Sequence, residues 1–142
     1  MTNFLQAYEK IVAPKLMEID LFLKCAEYPL SIEDVSSMLQ LSHGEVRDIM
    51  DGLGIARVGV FEFLSIMQKG SSWICRLYQR EVATGSPYTY THDQLAYIYG
   101  LEPKHVEEAC QKVGVKEVTP FTMPLIFAKI SIDPKNLQAN SL

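Results

Sequence analysis

The sequence predicts a mainly α fold in which two similar three-helix units pack together, with extra helices before, between and after them. Three observations predict it. First, the chain matches itself at an offset of sixty residues: Ser31 falls on Thr91, Glu33 on Asp93, Val35 on Leu95, Met38 on Ile98, Leu41 on Leu101 and Val46 on Val106. The match continues through Leu53 on Val113, Gly54 on Gly114, Ile55 on Val115, Val58 on Val118 and Phe61 on Phe121, about thirty positions without a gap. Second, helix-capping residues recur in both copies. Third, a glycine follows each second helix. Two copies are too few for a solenoid, so the pattern points to a duplicated module.

In chain order, Asn3 to Val12 predicts a leading helix, with Pro14 as a boundary or kink. Pro14 to Glu27 predicts the next helix, with Leu16, Ile19, Leu23 and Cys25 as core candidates. Ser31 is an N-cap with Asp34 three residues on, and its helix runs to about Leu39. After the turn Gln40-Leu41, Ser42 with Glu45 forms a capping box that starts a helix to about Gly52, closed by Gly54. Val58 to Phe63 reads as a wing-like strand or as the approach to a trailing helix at Phe61–Gln68, since so short an apolar run fits either period. Ser72 to Ala83 predicts a linking helix with Trp73, Leu77 and Tyr78 inward. In the second copy Thr91 and Gln94 cap a helix to about Tyr99. A turn at Gly100-Leu101 follows, then a helix from Glu102 with Pro103 at its first position, closed by Gly114. Pro120 to Ile130 predicts a last helix, made irregular by Pro124. The expected division is 1–70 for the N-terminal helix and first unit, 71–132 for the second, and 133–142 for a frayed tail.

Composition closes several functional classes. The 142 residues are 48% hydrophobic, and a chain of this size buries roughly two thirds of its unfolded surface without needing a metal or disulfide. Cys25, Cys75 and Cys110 are an odd count with no Cys-x-x-Cys, which fits a reducing cytoplasm. The first residues lack a signal peptide's basic start and apolar run, and no stretch approaches the ~18 apolar residues of a membrane span. Gly52-Leu53-Gly54 with Gly59 lacks dinucleotide-fingerprint spacing, and no Gly-Lys-Ser/Thr phosphate loop is present. His43, His92 and His105 lack metal-ligand spacing. The adjacent pairs Glu33-Asp34 and Glu107-Glu108 diverge on a helix. The expectation is a cytoplasmic protein without catalytic site, cofactor, metal, small-molecule substrate or membrane contact.

One short pattern carries family information. Ala96, Gly100 and Val106, supported by Leu95, Tyr99 and Leu101, match a small residue, a turn glycine and a core aliphatic at offsets of four and ten. Ala96 permits close helix approach, Gly100 suits a left-handed turn, and Val106 fills the shared core. On these residues the second copy resembles the DNA-binding helix-turn-helix family. The first copy departs, with Ser36, Gln40 and Val46 in these places. The resemblance covers about twenty-two residues per copy and implies that the helices from Ser42 and Glu102 enter a DNA major groove. The first helix would then present Ser42, His43, Gly44, Arg47, Asp48 and Asp51, with Arg47 taking a guanine edge and His43 a phosphate or base. The second would present Glu102, Lys104, His105, Glu107, Glu108 and Gln111. Lys69, Arg76 and Arg80 form the best basic cluster for a flanking backbone contact. Expected DNA contacts are therefore Ser42, His43, Arg47, Lys69, Arg76, Arg80 and Lys104.

Charge opposes that reading locally. With 13 basic and 17 acidic residues the chain carries net −4; residues 1–71 hold 6 basic against 10 acidic groups, and residues 72–142 hold 7 of each. The excess lies in the half with the better reading helix, and the second copy places carboxylates on its reading face. The leading expectation is a DNA-binding regulator, acting as a homo-oligomer. The alternative is an acidic adaptor or assembly module that keeps the helix-turn-helix shape and binds protein, with Met38, Tyr97 and Ile98 as its interface. Tyr88 and Tyr90, in the loop Gly85 to Tyr90, are further stacking candidates or cover the core edge. If Arg47, Lys69, Arg76 and Arg80 share one continuous face, DNA gains; if carboxylates interrupt them, the adaptor gains.

Overall fold

The computed structural model describes residues 2–85 and 88–132; the expected frayed tail at 133–142 lies outside the described residues. The architecture is mainly helical. Strand β1 (Thr2–Asn3) leads into α1 (Phe4–Ala7), where the Asn3 side chain accepts from the Gln6 N–H at 2.9 Å. A π-helical turn over Tyr8–Val12 then joins α1 to α2 (Ala13–Cys25). Pro14 explains that turn. It offers no N–H to the carbonyl four residues back, and the Ala13 N–H reaches Tyr8 O instead. The proline shifts the helix register without ending the helix.

The remaining elements are α3 (Ile32–Leu39), α4 (His43–Leu53), α5 (Val60–Met67), α6 (Trp73–Ala83), α7 (His92–Tyr99), α8 (Pro103–Val113), α9 (Met123–Phe127) and β2 (Ser131–Ile132). Helices α3 and α7 have eight residues each, α4 and α8 eleven each. Their caps also correspond. Ser31 Oγ accepts from Asp34 N at 3.1 Å, and Thr91 Oγ1 from Gln94 N at 3.0 Å. Gln40 and Gly100 both take the left-handed turn, with φ of 55° and 67°. An isolated antiparallel bridge closes each set: Leu30 N donates to Val58 O at 2.8 Å, and Tyr90 N to Val118 O at 2.8 Å.

The chain forms two compact units that divide it differently from 1–70 and 71–132. The first unit is Pro14–Gln79; the second joins the described residues of Met1–Ala13 to those of Arg80–Leu142. The division thus falls inside α6. Aromatic packing explains why the leading helix belongs to the second unit. Phe4 is wholly buried, lies edge-on to Phe127 with ring centroids 4.7 Å apart, and meets Tyr99 at 5.8 Å. Its N–H donates to Ile130 O at 2.7 Å, continuing the antiparallel pairing of Thr2 with Ile132 and Asn3 with Ser131. Burying one phenylalanine this way is worth roughly 2–3 kcal/mol.

Other local expectations change. Val58 to Phe63 forms no wing-like strand: Val58 makes the single bridge to Leu30, and the chain is helical from Val60. Glu62 drives that choice, since its Oε1 accepts the Gly59 N–H at 2.9 Å and caps α5. The last helix is shorter than Pro120–Ile130. On α2, Ile19 is buried, whereas Leu16 and Cys25 are exposed. The first unit's core includes Val35, Leu39, Val46, Phe63, Ile66, Ile74 and Cys75.

Candidate functional site: the outward faces of α4 and α8

Helix α4 buries Val46 and Met50 and exposes His43, Gly44, Arg47, Asp48 and Asp51. Its first turn is tied sideways. Glu45 Oε2 accepts from Ser71 N at 2.9 Å, and Glu45 Oε1 from Ser71 Oγ at 2.8 Å. The Trp73 indole N–H donates to Gln40 Oε1 at 2.8 Å. These bonds hold the segment from Ser71 to Trp73 against the α3–α4 turn, so exposed Lys69 and Arg76 flank that edge. Arg47 does not join them. At about 100° per residue, Asp51 and Asp48 follow Arg47 around the helix before the Glu45 edge is reached. The two carboxylates interrupt the basic surface within the first unit.

Arg80 leaves the expected cluster altogether. It is half-buried, and its Nε donates to Ile98 O at 2.7 Å within the second unit. Ile98 is the penultimate residue of α7, whose last carbonyls lack partners inside the helix, so Arg80 serves as a C-terminal cap with a favourable charge. On α8, Val106, Ala109 and Cys110 are buried while Lys104, His105, Glu107, Glu108, Gln111 and Lys112 are exposed. Lys104 therefore shares its surface with two carboxylates. Ser42 caps α4 through its Oγ, which accepts from Glu45 N at 3.1 Å.

The expected partner surface also divides. Tyr97 is 54% exposed and Met38 is half-buried, but Ile98 is fully buried at 0% and belongs to the core. Helix-turn-helix spacing places Ile98 outside the usual inward set. Beside it, Arg80 from the end of α6 reaches the Ile98 carbonyl, and the next residue, Tyr99, packs on Phe4 and Tyr8. Met17, Leu21 and Leu125 are exposed as well, and the most exposed apolar side chains among the described residues are Phe61 and Phe121, each 81% exposed and sixty residues apart. The offset match contains both, but exposure is a tertiary property.

A tyrosine cluster is confined to the second unit. The Tyr8 and Tyr99 rings meet edge-on with centroids 5.9 Å apart, and the Tyr90 hydroxyl donates to Glu81 Oε1 at 2.8 Å. Burial, then the Glu81 hydrogen bond and charge, pushes the Tyr90 hydroxyl up to about 12. Burial also raises Tyr99 and Tyr8, the latter partly offset by the neighbouring Tyr99 hydroxyl. Tyr90 thus covers the core edge, while Tyr88 is exposed.

Among the described residues no three of His, Cys, Asp and Glu are grouped to hold a metal ion, and no helix is long and apolar enough to cross a membrane. No protein-family model, curated protein or solved structure matches the chain, so the family resemblance stands on the residues of α3–α4 and α7–α8 alone.

Proposed function

We propose that the chain is a non-enzymatic interaction module, built by duplication, whose helix-turn-helix-shaped units bind protein rather than DNA. The observation that carries this reading is the placement of carboxylates on both faces a DNA duplex would approach. Asp48 and Asp51 separate Arg47 from the Lys69 and Arg76 edge, and Glu107 and Glu108 stand on α8. A carboxylate about 7 Å from a phosphate costs roughly 0.6 kcal/mol at the dielectric of water. Four of them offset much of what the exposed cations supply. Phe61 and Phe121 add support, because single exposed apolar side chains are ordinary but the same residue recurs at the same place in each unit. Two equivalent contacts in one chain suit a bivalent partner or a second copy. The three free thiols agree with a reducing, cytoplasmic setting.

Sedimentation velocity and affinity capture test this reading on the wild-type chain and on the Phe61→Ser, Phe121→Ser double variant. A complex in the wild type that is lost in a variant of unchanged melting temperature supports it. A strictly monomeric chain that retains no partner contradicts it. A second reading keeps DNA for the first unit, because Arg47, Arg57, Lys69 and Arg76 make no ion pair among the described residues. Under it, Arg47→Ala weakens sequence-specific binding and Arg76→Ala weakens all duplex binding.

A further inference from the structure

In the first unit a carboxylate joins α4 to the segment after α5: Glu45 receives both the N–H and the hydroxyl of Ser71. Sixty residues on, the second unit keeps serine at Ser131 and lysine at Lys129, matching Ser71 and Lys69, but it has His105 where Glu45 stands and Lys112 where Gly52 stands. The internal carboxylate is missing there. A groove of about 280 Å³ takes its place, lined by His105, Glu108, Lys112, Lys129, Ile130 and Ser131. None of its polar side chains makes a hydrogen bond or ion pair among the described residues.

We propose that this groove binds a carboxylate group, seated where the Glu45 carboxylate sits in the first unit. Lys112 and Lys129 supply the charge, the Ser131 hydroxyl and a His105 ring N–H supply hydrogen bonds, and Ile130 covers an aliphatic stem. Glu108 leaves the groove with one net positive charge when His105 is neutral, which suits a monoanion better than a dianion. The ligand is an acidic side chain of another protein or a free small carboxylic acid. The site stands on the groove alone and does not need the partner reading to hold.

NMR titration of the full chain tests it with three probes: acetate, acetamide and N-acetyl-glutamate amide. The expected result is saturable shifts at the His105, Lys129 and Ser131 amides with both acids and none with acetamide. Lys112→Ala and Lys129→Ala each weaken binding roughly two- to fivefold, as single exposed charges do. His105→Glu restores the internal carboxylate and abolishes binding. That variant folds, because position 105 is exposed and a carboxylate in the first helical turn is favourable. Affinity tenfold higher for the glutamate amide than for acetate supports the site with a protein segment as source, and equal affinity supports it with a small acid. Shifts that do not saturate, that acetamide reproduces, or that survive His105→Glu overturn the proposal.

Discussion

The helix pairs α3–α4 and α7–α8 agree in length and are held by different interactions. In the first, the turn residue is Gln40, held at φ 55° while its side chain receives the Trp73 indole N–H; in the second, Gly100 takes φ 67° with no side chain. The first stitches α4 to its neighbour through Glu45 and Ser71, while the second leaves a groove there. The second is closed instead by a strand pair and by Phe4 against Tyr99 and Phe127. Shape is therefore set by the caps and the core aliphatics, whereas surface chemistry varies around it. A helix-turn-helix outline says little by itself about DNA.

The largest expected effect separates the units. Phe4→Ala opens a cavity in the second unit's aromatic core and costs about 3–5 kcal/mol. Hydrogen exchange should then show lost protection in α7, α8 and α9 with α3 to α5 retained. Equal loss in both would break the comparison.

Alkali should separate them next. Tyr8, Tyr90 and Tyr99 all have hydroxyl pKa values raised above the ordinary 10.0, and all lie in the second unit. A raised folded-state value means the folded form holds its proton longer, so this stability is fully present below pH 10 and declines as pH climbs toward about 12. Near-ultraviolet melting across that range should fall in wild type and fall less in Tyr90→Phe. An unchanged slope in that variant would remove Tyr90 from the account.

The turns give a smaller contrast. Gly100→Ala places a Cβ at positive φ and should cost about 1 kcal/mol. Gln40→Gly relieves a similar backbone cost but loses the Trp73 bond, of about 0.5–1 kcal/mol, so its net effect should be near zero. Denaturant midpoints for the pair check this. A large loss from Gln40→Gly would mean that the indole bond outweighs the backbone.

Local chemistry made the helix-turn-helix elements readable. Ser31, Ser42, Thr91, Gly54 and Gly114 mark the ends of α3, α4, α7 and α8 within a residue or so, because caps act over three or four positions. What was not readable depends on contacts distant in sequence. Phe4 meets Phe127 across nearly the whole chain, so nothing local assigns the leading helix to the second unit. Arg80 looked like the partner of Arg76 at helical spacing, yet a carbonyl eighteen residues away takes its N–H. Ile98 is fully buried although helix-turn-helix spacing sets it outside the usual inward positions. Phe61 and Phe121 aligned like core residues, and only the fold leaves them outside.

If the proposed function holds, both outward helix faces repel DNA. Fluorescence anisotropy of a labelled mixed-sequence duplex, titrated with the full chain across a salt series, tests it most directly. No binding is expected at micromolar protein even at low salt. Saturable binding that falls steeply with salt, and that Arg47→Ala weakens, would contradict it.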